Sequence, residues 1–307
     1  MKIMNDRKSF LTTLPRELFV TKLLTGEKEF FGFVRFQNGS RESEKFFSWK
    51  ITSSKNNSIF VSGERAITGK ELEKGQISIS ALLPAEFEGG ILQVKFASHE
   101  GTWEIGMYKQ KEKFQLPLDG QVLIVSGHRI GEVHRSAQLL SQQFAWDLLP
   151  FHHDGLRLIK RPLSENLEAK DFEGFGQSVL APAKGFIAKA VDGFDDLTQV
   201  GKLPDNLEYY LEDLTRALGN HVIIDHGNGV WSCNAHLKYG SIQVKEGQEV
   251  GTGDKLGELG NSGFSSGPHV HLHFMNGPDI LSASPLPIEL ELEEGTYAPQ
   301  AGEITSS

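Results

Sequence analysis

The segment PHVHLHF at residues 268–274 constrains the fold more than any other stretch of the chain. Successive side chains of a β-strand point to opposite faces, so His269, His271 and His273 share one face and the apolar residues between them share the other. A lone histidine on a sheet is usually structural, but three on one face bring ring nitrogens that all need partners. Metal binding would satisfy them together. The segment therefore predicts a strand with one core face and one metal-binding face.

The first part of the chain is also predicted to be β-structure. Between residues 19 and 108, short runs rich in Phe, Val and Ile alternate with period two and are separated by polar turns; they cover residues 30–36, 58–63, 76–83, 91–98 and 102–108. Several strands at this spacing are typical of an antiparallel β sandwich or barrel. His99 is the single histidine of this part, so we expect no catalytic group here.

A short charged segment at residues 109–113 predicts a domain boundary near Lys113. A chain of 307 residues has room for two domains of roughly 100–200 residues each. Ten of the eleven histidines lie beyond Lys113, so the chemistry is expected there. We therefore predict a β-rich accessory domain of unknown role at residues 1–113 and a catalytic domain at residues 114–307.

The second domain is predicted to be antiparallel β-structure with one inserted helix. Residues 179–190 and 221–225 have strand character, and the turn at 226–229 leads into a return strand at 230–236, which together indicate a hairpin. Apolar residues recur at helical spacing between two of these strands: Leu207, Tyr210, Leu211, Leu214 and Leu218. We expect this helix to pack on the sheet or to form the wall of a cleft.

Composition excludes several classes of protein. The formal net charge is -9, from 31 basic and 40 acidic residues, without a dense Lys/Arg cluster, which argues against nucleic acid as a partner. The one cysteine, Cys233, rules out an intramolecular disulfide framework and a cysteine-based metal site, and we expect it to be a small buried residue. No apolar run has the length of a transmembrane helix or the form of a signal peptide. We expect a soluble chain, and its compartment stays open.

Two histidines of one strand cannot complete a metal site alone. A catalytic zinc ion takes three protein ligands and leaves a fourth position for water or substrate. Asp147 lies in the apolar run QQFAWDLLP, where a carboxylate is costly to bury unless it is paired or metal-bound; a half-exposed aspartate beside a turn is the alternative, and the residues alone leave both open. The other upstream candidates are His128, His134, His152, His153, His221, His226 and His236.

An ordered series of motifs resembles the lysostaphin-type zinc endopeptidases. His134 is followed by SQQFAWDLL, then by VLAPAKGFIAKAVDG, HVIIDHGNG, the NAHL of residues 234–237 and the run GNSGFSSGPHVHLHF. The similarity covers about residues 116–287, and its last part is the most specific. The family has a duplicated hybrid motif type of fold, built mainly of antiparallel β-strands.

The resemblance implies a role for five side chains. His134, Asp147 and His271 correspond to the zinc ligands, and His236 and His269 correspond to catalytic histidines that do not bind metal. His134 and Asp147 are further apart here than in many relatives, so His128 is the alternative first ligand. Asn234 stands where a tyrosine is common in relatives.

The resemblance further implies a zinc-dependent endopeptidase that hydrolyses peptide bonds in bacterial peptidoglycan, which would place it outside the cytoplasm. Its β-rich first domain would then position the enzyme on the wall or on a partner. Two alternatives remain. A chain of this fold can act as a binding or activator module without catalysis, and the same zinc site would serve hydrolysis of another amide or ester. The absence of an HExxH motif excludes the glutamate-base scheme of thermolysin-like enzymes.

Overall fold

The computed structural model describes residues 11–14, 18–22, 28–36, 46–67, 71, 76–96, 99–129, 132–135, 140–151 and 167–307. His152 and His153, two of the candidate ligands, lie outside these residues. The chain divides into two compact units, one ending at Lys109 and the other running from Gln110 to Ser307. Gln110 belongs to the second unit, where its side chain exchanges two hydrogen bonds with the backbone of Glu289, at 2.9 and 2.8 Å.

The first unit contains one eight-stranded sheet. Its strands are β1 (Leu11–Leu14), β2 (Leu18–Lys22), β3 (Lys28–Phe36), β4 (Phe46–Ser53), β5 (Ile59–Ala66), β6 (Gln76–Leu83), β7 (Gly89–Phe96) and β8 (His99–Met107). The sheet order is β1-β3-β2-β8-β7-β4-β5, with β6 on the other edge of β3. Strands β5 and β6 contact each other, so the sheet is a nearly closed barrel.

The predicted β-rich class is confirmed for this unit, with one difference in detail. Each of the five predicted runs overlaps a strand, and buried residues of these strands, such as Phe30, Ile79 and Leu92, belong to one core. The pair of β2 with β8 is parallel, whereas the prediction was purely antiparallel. Local alternation predicts strands but does not determine which distant strand lies beside which, because pairing depends on the whole chain path.

The second unit is built on an antiparallel sheet whose order is β15-β12-β13-β14-β17-β10-β9-β20. These strands are β9 (Val122–Ser126), β10 (Trp146–Pro150), β12 (Gly185–Val191), β13 (Asn220–Asp225), β14 (Trp231–Leu237), β15 (Glu249–Val250), β17 (Val270–Met275) and β20 (Ile304–Thr305). Two small sheets pair β11 (Ser178–Leu180) with β16 (Lys255–Glu258) and β18 (Leu290–Leu292) with β19 (Gly295–Tyr297).

The predicted hairpin is confirmed, since β13 and β14 pair across the turn at residues 226–229. The predicted alternation of residues 268–274 is also confirmed in β17, where Val270, Leu272 and Phe274 are fully buried. Cys233 is buried and free, as expected, and burial raises the pKa of its thiol to about 12. None of the described helices is long and apolar enough to cross a lipid bilayer.

The inserted helix is present but shorter than its apolar spacing predicts. Helix α1 spans Leu207–Glu212, and a separate 3-10 helix spans Leu214–Leu218. Asp213 separates them, because its extended backbone breaks the helix while its carboxylate accepts the backbone N–H of Thr215. No residue of α1 is buried, and Leu207 and Leu211 are 53% and 62% exposed, which argues against packing on the sheet; the alternative, that the helix forms the wall of a cleft, stays a prediction.

His221, one of the upstream candidates, is a buried structural residue of β13. Its Nδ1 lies 2.8 Å from the carbonyl oxygen of Gly219 and donates to it. Burial lowers the pKa of His221 to about 4 from 6.5. The folded state therefore holds this ring neutral over a range in which the unfolded chain takes up a proton.

We predict that His221 makes the second unit sensitive to acid. Its folded pKa is depressed, so the unfolded state binds more protons between pH 6.5 and pH 4, and stability falls as the pH falls through that window. The contribution is up to about 3 kcal/mol at pH 4. Urea unfolding with a chelator present should show this loss in the native chain. His221→Asn, which keeps a donor for Gly219, should lose correspondingly less, and identical pH profiles would contradict the assignment.

Candidate metal centre and histidine cluster

Asp147 and His271 face each other across neighbouring strands. They are paired residues of β10 and β17, and His271 Nδ1 lies 3.2 Å from Asp147 Oδ1. On the other edge of β10, the register with β9 shifts between Asp147 and Leu148, which is a β-bulge. Bulges are frequent beside functional sites because they change the direction of a side chain. The Asp147 side chain is only 14% exposed, so the alternative of a half-exposed aspartate beside a turn is wrong.

His134 approaches Asp147 from a turn rather than from the sheet. Its Nε2 lies 2.8 Å from Asp147 Oδ2, and its ring meets the ring of His271 edge-on with centroids 4.8 Å apart. One ligand atom from each of His134, Asp147 and His271 lies within 4.8 Å of the other two. Among the residues that the structure describes, this is the one group of three or more such side chains with this geometry.

His128, the alternative first ligand, is not part of this group. Its ring is fully buried and stacks on the indole of Trp146, with ring centroids 4.0 Å apart. Burial places the pKa of His128 well below its ordinary value, and the charge of Arg135 lowers it further. The structure therefore brings His134, and not His128, to Asp147.

The donor set is compatible with a divalent metal ion. Two imidazole nitrogens and one carboxylate oxygen form a three-ligand N/O set of the kind that catalytic zinc uses, with one position left for water or substrate. Burial alone would raise the pKa of Asp147, but the charge of His269 and hydrogen bonds with His134, His269 and His271 hold it well below its usual range. Asp147 is thus an anion surrounded by imidazoles.

His236 reaches this group through an unusual backbone conformation. Ala235 is the cross-strand partner of His271, so regular alternation on β14 would turn His236 to the opposite face. The φ angle of His236 is 61°, which lies in the left-handed region and interrupts the alternation. Its ring centroid consequently lies 5.7 Å from that of His271 and 4.7 Å from that of His269. Backbone strain of this kind concentrates at functional sites.

Backbone carbonyl groups orient both predicted catalytic histidines. His236 Nδ1 lies 2.8 Å from the carbonyl oxygen of Ser262, and His269 Nδ1 lies 2.7 Å from that of Gly267. Each Nδ1–H donates to its carbonyl, so the free lone pair of each neutral ring is on Nε2. His269 Nε2 is directed to the metal-binding group, because it lies 3.3 Å from Asp147 Oδ1.

The charge preferences of the two rings differ. Burial lowers the pKa of His236 well below its ordinary value, with the charges of His269 and His271 adding to the effect. Burial also lowers the pKa of His269, but the charge and hydrogen bond of Asp147 outweigh burial, and the net shift is upward. The pKa values of the two histidines are therefore shifted in opposite directions, although their ring centroids are only 4.7 Å apart.

The loop that carries Ser262 is held against the start of β13. The hydroxyl of Ser262 accepts the backbone N–H of Asn220 at 2.9 Å and donates to the carbonyl of Leu237 at 2.7 Å. Gly263 packs directly on Gly219: a Cβ on Gly263 would lie 2.4 Å from the Gly219 nitrogen. Gly219 and Gly263 thus permit a close backbone contact that sets the carbonyl partner of His236.

Of three further residues in this unit, one makes a contact that sequence reasoning missed. His273 contacts His271, since its Nδ1 lies 3.0 Å from His271 Nε2. His226 is structural, because its two nitrogens bond to the carbonyl of Lys184 and the hydroxyl of Ser232. Asn234 is fully buried on β14. The buried row of histidines on β17 was the one available signal for the contact of His273 with His271.

Comparison with known proteins assigns the domain that contains this site. The second unit is a mainly β domain with a His/Asp/His group compatible with a metal ion. Residues 168–280 match the sequence model of Peptidase family M23. The chain therefore carries a Peptidase M23 domain, and the resemblance to the lysostaphin-type family is confirmed. The matched residues include His236, His269 and His271, whereas His134 and Asp147 precede them.

Curated relatives match over short segments. The chain is 45% identical over 53 residues to the peptidoglycan DD-endopeptidase ShyA of Vibrio cholerae, a match that spans 17% of this chain and 12% of that protein. It is 37% identical over 84 residues to the DD-carboxypeptidase/endopeptidase Mpg of Neisseria meningitidis, spanning 27% of this chain and 18% of that protein. The chain thus matches less than a fifth of the length of either relative.

Among solved structures, the catalytic domain of lysostaphin from Staphylococcus simulans is similar at 17% identity and a TM-score of 0.30. That comparison covers 54% of this chain and 88% of the lysostaphin domain.

We predict that the close Gly263–Gly219 contact makes the second unit intolerant of a side chain at residue 263. Gly263→Ala would place a Cβ 2.4–2.7 Å from backbone atoms of residues 217 and 219, at a φ of 78°. We expect a loss of roughly 3 kcal/mol from the clash and the strained backbone together. Gly240→Ala is the matched control, because its φ is 67° with nothing within 4 Å, and it should lose only about 1 kcal/mol. Urea unfolding of both variants checks this; equal losses would show that the close contact is unimportant.

Proposed function

We propose that this chain is a zinc-dependent endopeptidase that hydrolyses peptide bonds in the cross-links of bacterial peptidoglycan. The observation that carries the proposal is the convergence of His134, Asp147 and His271, whose ligand atoms lie within 4.8 Å of one another. The match to Peptidase family M23 supports peptide hydrolysis. The names of the relatives, a peptidoglycan DD-endopeptidase and a DD-carboxypeptidase/endopeptidase, support peptidoglycan as the substrate.

In this proposal, His134 Nε2, an oxygen of Asp147 and His271 Nδ1 hold the zinc ion. Bound zinc supplies Lewis-acid chemistry, which polarises a carbonyl group and activates water for attack. Asp147 contributes the one negative charge of the ligand set and lowers the cost of holding a divalent cation in a largely buried site. The backbone pairing of Asp147 with His271 fixes the distance between two of the three ligands before any metal binds.

His236 and His269 carry the proton transfers in this proposal. Their Nδ1 atoms are occupied by carbonyl groups, so Nε2 is the atom of each ring that exchanges a proton. One ring accepts the proton of the attacking water, and one, as imidazolium, stabilises the oxyanion or protonates the leaving amine. Two rings with centroids 4.7 Å apart can serve both sides of a single scissile bond.

The other classes of function have separate tests. A panel of peptide, ester and peptidoglycan substrates distinguishes an endopeptidase from a hydrolase of other amides or esters.

The first unit is proposed to position the enzyme on the wall or on a partner. Deletion of residues 1–110, followed by cosedimentation with purified sacculi and hydrolysis assays, tests that role; unchanged binding and hydrolysis would remove it.

We predict about one zinc ion per chain, measured by metal analysis after dialysis. His271→Ala should lose the metal or bind it far more weakly, because it removes one of three ligands. His226→Gln is the matched control: His226 is also a buried histidine of this unit, but its nitrogens bond to Lys184 and Ser232, so its zinc content should equal that of the native chain. Equal zinc content in the native chain and in His271→Ala would overturn the ligand assignment.

His236→Ala should retain zinc and lose most of its turnover of purified peptidoglycan. We expect a decrease of about 10²–10⁴-fold in kcat, the usual contribution of a general acid–base group. Release of soluble peptides, measured beside the zinc content of the same sample, checks both halves of the prediction. Loss of the metal from this variant would identify His236 as a ligand instead. A native chain that holds zinc but releases no peptide from peptidoglycan would support the non-catalytic module.

A further inference from the structure

The side of His271 that faces away from Asp147 is occupied by another histidine. His271 Nδ1 lies 3.2 Å from Asp147 Oδ1, whereas His271 Nε2 lies 3.0 Å from Nδ1 of His273. Both imidazoles are buried, and they meet edge-on with centroids 5.2 Å apart. The proposed ligand therefore has a hydrogen-bonding partner on each ring nitrogen.

The direction of the hydrogen bond follows from the ring chemistry. A nitrogen that ligates a metal must present its lone pair, so a neutral His271 that ligates through Nδ1 carries its proton on Nε2. This Nε2–H then donates to His273 Nδ1, which must be an acceptor. His273 is fully buried, where a neutral ring is much less costly than a cation, so its own proton lies on Nε2.

The packing around the two rings favours a specific role for His273. Small residues face both histidines across the sheet, since Ala235 pairs with His271 and Cys233 pairs with His273. His273 Nε2 is buried and has no hydrogen-bond partner among the residues that the structure describes. An unsatisfied buried nitrogen is destabilising, so an apolar side chain would serve packing better. The advantage of a histidine at residue 273 must then come from the hydrogen bond between its Nδ1 and His271.

We propose that His273 is a positioning residue for the zinc site, which accepts the Nε2–H of His271 and holds that ring with Nδ1 directed to Asp147 and His134. This inference rests on the proposed function. In metal-ligating histidines, the N–H group of the second ring nitrogen usually donates a hydrogen bond to a carboxylate, a backbone carbonyl or water. Here a neutral imidazole takes that place, so His271 is oriented without a second negative charge beside Asp147.

Three variants test the proposal through zinc affinity, measured by competition with a chromogenic chelator. His273→Leu removes the acceptor while filling the space, and we expect zinc to bind about 10–100-fold more weakly. His273→Asn keeps an oxygen acceptor near the position of Nδ1 and should recover most of that loss. Met275→Leu is the matched control, because Met275 is buried on the same face of β17 and should leave the affinity unchanged. Thermal unfolding of the metal-free proteins verifies their folding.

The outcomes separate this proposal from the proposed function. Native affinity in His273→Leu, in a chain that binds zinc and hydrolyses peptidoglycan, overturns the positioning role alone. Weaker binding in His273→Leu with rescue by His273→Asn, in a chain that hydrolyses no peptide, supports the positioning role and overturns the endopeptidase. A native chain that binds no zinc overturns both.

A second measurement requires no variant. Nitrogen-15 NMR of the zinc-loaded native chain reports which ring nitrogen of each histidine carries the proton. We expect the Nε2–H tautomer for both His271 and His273, with a hydrogen bond from the first to Nδ1 of the second. A proton on Nδ1 of His273 would overturn the proposal even if His273→Leu failed to fold.

Discussion

The carboxylate of Asp147 is the constraint on which the candidate site depends. A buried carboxylate needs compensation, and Asp147 receives it from three imidazoles, those of His134, His269 and His271. These residues come from a turn, a loop end and a strand, so their convergence on Asp147 requires β10 and β17 to be neighbours at the centre of the sheet. The proposed metal site uses the same convergence, since two of these imidazoles, those of His134 and His271, form the candidate ligand group together with Asp147.

Much of this arrangement was predictable from residues that are close together in the chain. The alternation of residues 268–274 predicts β17 and its two faces, because the period of a strand is local. The turn at residues 226–229 predicts the β13–β14 hairpin for the same reason. The assignment of His134 and Asp147 required the family resemblance, because no local pattern states which turn meets which strand; their geometry agrees with it, while their roles remain predictions.

The backbone of His236 and the pairing of β2 with β8 depend on tertiary context, whereas the division of the inserted helix is a local effect. The left-handed backbone of His236 is invisible in the sequence, since NAHL has ordinary strand character and its conformation is imposed by the loop at Ser262. The apolar spacing between residues 207 and 218 predicts one helix, but Asp213 caps a new turn and divides it. The parallel pairing of β2 with β8 likewise arises from the path of the chain rather than from either strand.

The contact between Gly219 and Gly263 has a consequence for protein engineering. The loop at residues 260–267 is the natural segment to exchange with a relative in order to alter specificity, because it lies beside both candidate acid–base histidines. Its backbone, however, fits only against a residue without a side chain at the beginning of β13. If such a loop were grafted onto a domain with a bulkier residue in place of Gly219, the carbonyl group that orients His236 would be displaced. The loop and Gly219, against which it packs, must therefore be transferred together, although some forty positions of sequence lie between them.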